Sequence, residues 1–391
     1  MRETKFTYKS LYIFSLIIYI ICLPLNAMNI GAIGSALKLL AVLPIGIAIF
    51  GGVLRFSSSV ISQLCFTVFA LLSMAWSVSF DTSMSRVVSY VLLFALIISG
   101  SAFTYTAEEI KKIKRALAWS SRLTAAVMLI FAEYVRGRFR LMGIIEEDPN
   151  YLCAYLAFGV VYAIDILTKN NKVYRKILAV AELILYFYLI LVSGSRGGLL
   201  AILSGALIYL LTYSGKQDKH IIKKVILAMA IFAMVSVLID NLPENLKLRF
   251  TVDNVVEDGG TGRTTLWAQA FDLFANGGVL RQLFGYGTAT ISLCFTRFNY
   301  SEINVAHNMF IETLAELGIV GLILYSVAIL TFIISAFKNK DKFAFAVIVA
   351  MFVMSLSTSI YTFKPYFNIM LFIIMLENMR NEDSKKDVCE K

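Results

Sequence analysis

Charge is scarce in this sequence. Asp, Glu, Lys and Arg make up 16% of the 391 residues and hydrophobic residues 59%, with a mean hydropathy of +0.75; soluble domains run near a quarter charged. A soluble protein of this length could not hide so much apolar surface, so lipid must solvate most of the chain. That excludes a cytosolic enzyme, a nucleic-acid-binding domain and a disordered scaffold. Histidine is scarcer still, with two residues, and the five cysteines (Cys22, Cys65, Cys153, Cys294, Cys389) show no CxxC spacing. Neither a disulfide framework nor a zinc site is expected. There is no P-loop, and no Asp-x-Asp pair that would chelate a metal for a nucleotide-sugar donor. No metal and no cofactor are expected.

What the chain has in abundance is long apolar runs. A bilayer core takes about 20 apolar residues per helix, and runs of that kind cover roughly 10–25, 33–54, 59–77, 86–104, 116–134, 151–168, 177–193, 197–213, 225–240, 307–336, 343–360 and 365–378. The fold class expected is an all-α polytopic membrane protein: a bundle of about 12 transmembrane helices with a large helical extracytoplasmic loop before the tenth. The first run is not a cleavable signal peptide, because no small-residue cleavage site follows it. Every second loop is basic. Arg2, Lys5 and Lys9, then Arg55, the Lys111–Arg115 cluster, Lys169 to Lys176, Lys216 to Lys224, Lys338 to Lys342 and the tail after Glu377 share one side. The positive-inside bias places that side, and both termini, in the cytoplasm. The net charge of +10 is then a topology signal and needs no nucleic acid. The organisation expected is 1–240 with transmembrane helices 1–9, 241–306 as an extracytoplasmic loop with an amphipathic helix, 307–378 with helices 10–12, and 379–391 as a cytoplasmic tail.

Lys and Arg divide between the two faces. Arg86, Arg122, Arg136, Arg138, Arg140, Arg196, Arg249, Arg263, Arg281 and Arg297 fall within the membrane or on its outer side; of the lysines only Lys38, Lys247 and Lys364 do. Topogenesis needs any cation inside. A surface that grips phosphate needs the planar guanidinium fork, which offers paired donors and keeps its proton. The Arg-rich outer face therefore suggests an anionic ligand. The competing explanation is pairing with acids of the outer loops: Arg249, Arg281 and Arg297 have Asp253, Asp272 and Glu302 near them in sequence.

The outer connection 241–306 is far longer than connections usually run. Within it, Arg263 to Ala275 puts Leu266, Trp267, Ala270, Phe271 and Phe274 on one helical face, with Thr261 or Thr264 as N-cap. That stripe suits a helix on the membrane surface or over the bundle. Gly277-Gly278 and Phe284-Gly285-Tyr286-Gly287 follow, where the chain can turn sharply or approach a ligand. Arg196, in Ser193-Gly194-Ser195-Arg196-Gly197-Gly198, stands at a helix–helix turn near the interface and must snorkel or find an anion. His307 precedes the tenth run at the outer interface. Imidazole changes protonation near neutral pH and suits general acid–base work, although interfacial histidines more often serve structure. His220 lies among cytoplasmic lysines and is solvated. Glu312 and Glu316, one turn apart at apolar depth, are expected to pair with Arg196 or another outer arginine.

Four motifs occur in order: Ser-Gly-Ser-Arg-Gly-Gly (193–198), Thr-Gly-Arg-x-x-x-Trp (261–267), Phe-Gly-Tyr-Gly (284–287) and His-Asn-x-x-x-x-x-Leu-x-Glu-x-Gly (307–318). The set resembles the O-antigen ligase and O-antigen polymerase family of bacterial polysaccharide assembly, most densely over 190–325, and weakly at Arg140 and Asp148-Pro149-Asn150. The resemblance implies a multi-pass protein of the bacterial cytoplasmic membrane that transfers a glycan on the extracytoplasmic face. The implied donor is a glycan on polyprenyl diphosphate and the acceptor a hydroxyl of another glycan; a chain-length regulator protein is one further implied partner. Arg196 and Arg263 match arginines that hold the diphosphate, and His307 matches the histidine that activates the acceptor. Arg140, Asn308, Trp267 and Arg86 are the further substrate-binding candidates. Fixed guanidinium groups would stabilise charge developing on the departing diphosphate, and attack from the opposite face would invert the anomeric carbon.

Within the family a polymerase, extending chains on lipid-linked repeat units, is preferred over a ligase, which transfers a chain to lipid A core or protein. A flippase for lipid-linked sugars is a different class; it would show internal repeats and mid-membrane binding residues, and neither is evident. A metal-dependent glycosyltransferase would rest on Glu146-Glu147-Asp148.

Overall fold

The structure, a computed structural model, describes residues 7–27, 39–135, 138–140, 149–169, 172–212, 221–251, 262–302, 304–360 and 362–379. Its helices are α1 (Tyr8–Cys22), α2 (Val42–Gly51), α3 (Ser58–Leu72), α4 (Phe80–Ser99), α5 (Ala107–Phe131), α6 (Pro149–Lys169), α7 (Val173–Val192), α8 (Arg196–Leu211), α9 (Ile221–Asp240), α10 (Glu244–Lys247), α11 (Arg263–Ala275), α12 (Gly278–Phe284), α13 (Ile291–Arg297), α14 (Met309–Lys338), α15 (Lys342–Ser355) and α16 (Lys364–Glu377). Their starts follow local chemistry. Thr7 and Thr106 open α1 and α5 with capping boxes completed by Ser10 and Glu109, and Ser57, Ser79, Ser195, Asn308 and Asp341 accept the first amides of α3, α4, α8, α14 and α15.

Each of the twelve apolar runs carries a helix, but not twelve full spans. Six helices of the described residues are long and apolar enough to cross a membrane: 8–25, 58–76, 80–99, 149–169, 221–240 and 309–338. α2, α8 and α15 are apolar but shorter, and α16 has 14 residues. The fifth run was expected to continue to 134; α5 ends at Phe131 and the chain turns into a two-stranded hairpin, β1 (Glu133–Val135) with β2 (Arg138–Arg140). This hairpin is the departure from an all-α fold among the described residues.

Of the short helices, α15 and α16 are largely interior, whereas most of α2 is not buried. α16 is buried along nearly its whole length and packs against α4, α5, α6, α14 and α15; a helix apolar all round belongs in a core. α8 packs closely on α15 because Gly205 has no side chain: a methyl there would lie 2.9 Å from Ala350 Cβ. α9 is peripheral, with only Ile231 and Val235 buried.

Two glycines lock the long loop to α14. Gly318 interrupts α14 with φ 66°, ψ −167°, and Gly285 adopts nearly the same angles, φ 72°, ψ −167°, a region essentially closed to other residues. A methyl on Gly285 would strike the Glu316 carbonyl, and one on Gly318 the Leu283 backbone. The Glu316 carbonyl instead accepts the Gly287 amide at 2.8 Å, and its carboxylate accepts the amides of Ala289 (2.7 Å) and Ile291 (3.1 Å). Within Phe-Gly-Tyr-Gly, Gly285 approaches the Glu316 backbone and Gly287 the Ser77 side chain.

Gly285→Ala and Gly318→Ala should each destabilise the detergent-solubilised protein by at least ~1–3 kcal/mol from backbone strain alone. Gly46→Ala, in α2 with nothing near its side-chain position, should be neutral or stabilising by up to ~1 kcal/mol. Thermal melts of the three variants read the difference.

Candidate functional site

Three of the sequence candidates stand at helix N-termini. Ser193 ends α7, Gly194 turns with φ 68°, Ser195 caps α8, and Arg196 is the first residue of that helix. Gly262 (φ 78°) starts α11 and Arg263 is its first residue. His307 precedes the cap of α14, Asn308, and has φ 50°. The positive end of a helix and its unpaired amides favour anions, so each side chain leaves the backbone where negative charge is welcome. Arg196, Arg263 and His307 are each half-buried.

The turn at 306–308 is held from two sides. From α11, the Trp267 indole N–H donates to the Ala306 carbonyl at 2.8 Å; Trp267 lies one turn beyond Arg263 and shares its face. From the other side, Asn308 Nδ2 donates to the Leu356 carbonyl at 3.1 Å, while its Oδ1 accepts the amides of Phe310 and Ile311. Left-handed backbone at a residue other than glycine persists where the surroundings over-determine it, and such residues gather at functional positions. His307 is fixed in this way.

Between α15 and α16 the chain is irregular over 356–360 and 362–363, and Thr358, Ser359, Ile360 and Phe363 are almost wholly enclosed. Arg86 of α4 donates to Thr362 Oγ1 at 3.2 Å, Tyr151 of α6 to the Ser359 carbonyl at 3.0 Å, and Ser359 Oγ to Glu312 of α14. Gly197, next to Arg196, lies against Ser357, where a methyl would collide with Ser357 Oγ, and Ser195 Oγ donates to Asn150 Oδ1. Arg196 Nε donates to the Arg249 carbonyl, joining α8 to the start of the long loop. Arg86 and Asn308 thus bond this segment directly, Gly197 brings the start of α8 beside it, and Trp267 brings α11 to the turn that precedes Asn308. Arg140 lies on β2, with its side chain outside the described residues, as are Arg136, Glu146-Glu147-Asp148, Asp253, Thr261 and His220.

Several expectations are corrected. Thr264 does not cap α11; Gly262 occupies that position, with no side-chain cap. The buried face of α11 is Leu266, Gln269, Ala270 and Leu273, while Phe271 is 49% exposed, because the helix packs on α14 and α12, and those neighbours rather than the mean apolar direction select the face. Arg281 does not pair with Asp272. It donates to the carbonyls of Trp76 (2.9 Å) and Gly285 (3.1 Å), and Asp272 accepts from Tyr300 Oη (2.6 Å) and Asn276 (2.8 Å). Beyond the arginine pairing expected of one or both glutamates, the Glu316 carboxylate accepts two loop amides and Glu312 accepts the Ser359 hydroxyl. The residues that sequence reasoning missed are 356–360, at the end of the run 343–360, and 362–363, in the gap before the run 365–378. Their signal was local: Ser355, Ser357, Thr358, Ser359 and Thr362 in eight positions. In the long loop, burial pushes the Cys294 thiol up to about 11, so it is no nucleophile at neutral pH.

Residues 181–326 match the O-antigen ligase family. The matched stretch runs from within α7 into α14 and takes in all four motifs, in agreement with the resemblance read from the sequence. Over that stretch the chain is similar to the O-antigen ligase family, and its long apolar helices mark a membrane-integral protein. A solved chain from a peptidoglycan synthase complex that coordinates polymerization and crosslinking aligns over 83% of this chain and 98% of its own, at 12% identity and a TM-score of 0.46; that likeness is too distant to carry an argument. Among curated proteins the chain has no match.

Asn308→Ala should loosen the first turn of α14 by about 0.5–2 kcal/mol and raise amide hydrogen exchange at Phe310 and Ile311. Asn308→Asp keeps the capping acceptor and loses only the donor to Leu356, so exchange at those two amides should stay near wild type.

Proposed function

We propose that the protein is a glycosyltransferase of the extracytoplasmic face of a bacterial cytoplasmic membrane, polymerising polyprenyl-diphosphate-linked oligosaccharide repeat units into a surface polysaccharide. The observation that carries this reading is the gathering of two arginine-led helix N-termini and the His307 turn around 306–308, 356–360 and 362–363, with the family match covering the same motifs.

In this reading Arg196 and Arg263 bind the donor diphosphate, with the N-termini of α8 and α11 adding to the field. Their forks offer paired donors to the phosphoryl oxygens and stabilise the negative charge that grows as the glycosidic bond breaks. His307, as neutral imidazole, takes the proton of the attacking acceptor hydroxyl. A diphosphate is a good leaving group, so the reaction calls for neither nucleotide triphosphate nor metal in principle. Attack opposite the leaving group inverts the anomeric centre. Trp267 and Asn308 set the His307 turn, and Arg86, tied to Thr362, sits where it adds positive charge to the pocket. Arg140 is kept as a substrate-binding candidate.

The second reading is a ligase that moves a finished glycan onto lipid A core or protein. The family match favours it, since the family is described as O-antigen ligase. The two share the machinery above and differ in acceptor, so an assay that offers lipid-linked repeat units and a core acceptor side by side separates them. Lengthening on the lipid-linked units supports the polymerase; transfer to core without lengthening supports the ligase.

Arg196→Ala and Arg263→Ala should each cut the rate about 100- to 1,000-fold, and His307→Ala about 100- to 10,000-fold, with membrane insertion intact. Arg→Lys at 196 and 263 should restore little, because the fork is lost. Full polymer formation by His307→Ala would overturn the assignment of the base.

A further inference from the structure

The long loop carries an apolar surface that the reaction does not use. In α12, Val279 and Leu280 are 71% and 73% exposed, more than any other large apolar side chain of the loop's described residues. What covers them follows from their place along α14. Beyond Gly318, α14 exposes Ile319, Ile323, Val327, Leu330, Ile334 and Phe337, at steps of three and four that form one stripe. The 18 steps from Ile319 to Phe337 rise ~27 Å at 1.5 Å each, close to the ~30 Å of a hydrocarbon core, and Lys338 follows at once. The stripe is the lipid-facing side of a span, and Ile319 marks the edge of the acyl layer at the end that carries the loop.

α12 is locked to that edge. Leu283 to Gly285 lie backbone to backbone against Glu316 to Gly318, and the Phe284 ring meets Trp76 at 5.9 Å, an indole of the kind enriched where membrane meets water. The charge in the middle of the helix does not oppose insertion: the Arg281 guanidinium bonds the Trp76 and Gly285 carbonyls and covers the Tyr286 ring at 5.0 Å. We infer that α12 is a membrane-interface anchor, with Val279 and Leu280 inserted among the acyl chains beside Ile319. The occupant is lipid and not a protein partner, because α12 is fixed by Leu283 to Gly285 at Gly318, the residue after which the lipid-facing stripe of the span begins. α11, which carries Arg263, packs on α12 and α14, so the anchor sets the height of that arginine above the lipid.

The test needs no enzymatic activity and stands apart from the functional reading. In a chain with Cys22, Cys65 and Cys389 replaced by Ser, an environment-sensitive fluorophore is placed on Leu280→Cys and, separately, on Val279→Cys. Val327→Cys gives the lipid reference and Glu302→Cys the aqueous one. In phospholipid nanodiscs, both α12 probes should emit blue-shifted, be quenched by doxyl-labelled lipid as at Val327, and resist iodide. Emission and iodide quenching like those at Glu302, in variants that elute as the parent does in gel filtration, would overturn the anchor.

Discussion

Backbone that leaves its helix inside a membrane-thick bundle must have its polar groups satisfied by protein. The chain at 356–360 and 362–363 is such backbone, and its partners come from several helices. Asn308 takes the Leu356 carbonyl, Tyr151 the Ser359 carbonyl, Arg86 the Thr362 hydroxyl, and Glu312 accepts the Ser359 hydroxyl. Those side chains belong to α14, α6 and α4, and α8 adds Gly197 against Ser357. Each contact meets a local polar demand. Their sum fixes where Arg196 and His307 stand. The candidate site is assembled by the same bonds that make the irregular segment tolerable.

A second set of bonds, one to two turns further along α14, fixes the long loop. The break at Gly318 releases the Glu316 carbonyl from the helical ladder, and the Gly287 amide takes it. The Glu316 carboxylate then serves two loop amides, so a charge at apolar depth ties the loop to the helix. Because α11 docks on the same stretch and reaches Ala306 through Trp267, loop and turn are set by one helix end. The turn at 307 and the loop contacts at 316–318 are coupled through α14.

The sequence foretold whatever depends on local pattern. The apolar runs locate every long helix, the bounds of α11 follow from Arg263 to Ala275, and the order of the four motifs predicts the family match. What stayed hidden depends on partners distant in sequence. The inward face of α11 is chosen by α14 and α12, so Gln269 is buried and Phe271 is not. Arg281 prefers two carbonyls to the nearby acid because the Trp76 segment folds back onto it. The irregular stretch was masked by averaging: five hydroxyl residues among large apolar neighbours do not break a hydropathy window, although they break the helix. Length was misjudged for the same reason, since interior helices such as α16 are apolar without being long.

The central claim is that Arg196 and Arg263, 67 residues apart in sequence, grip one diphosphate. A double-mutant cycle on the affinity of the purified protein for polyprenyl diphosphate tests it most directly. Both single alanine variants should weaken binding, and the double variant should lose less than the sum of the two, because groups that share a ligand are coupled. Losses that simply add, or a single variant that binds as tightly as wild type, would contradict the account.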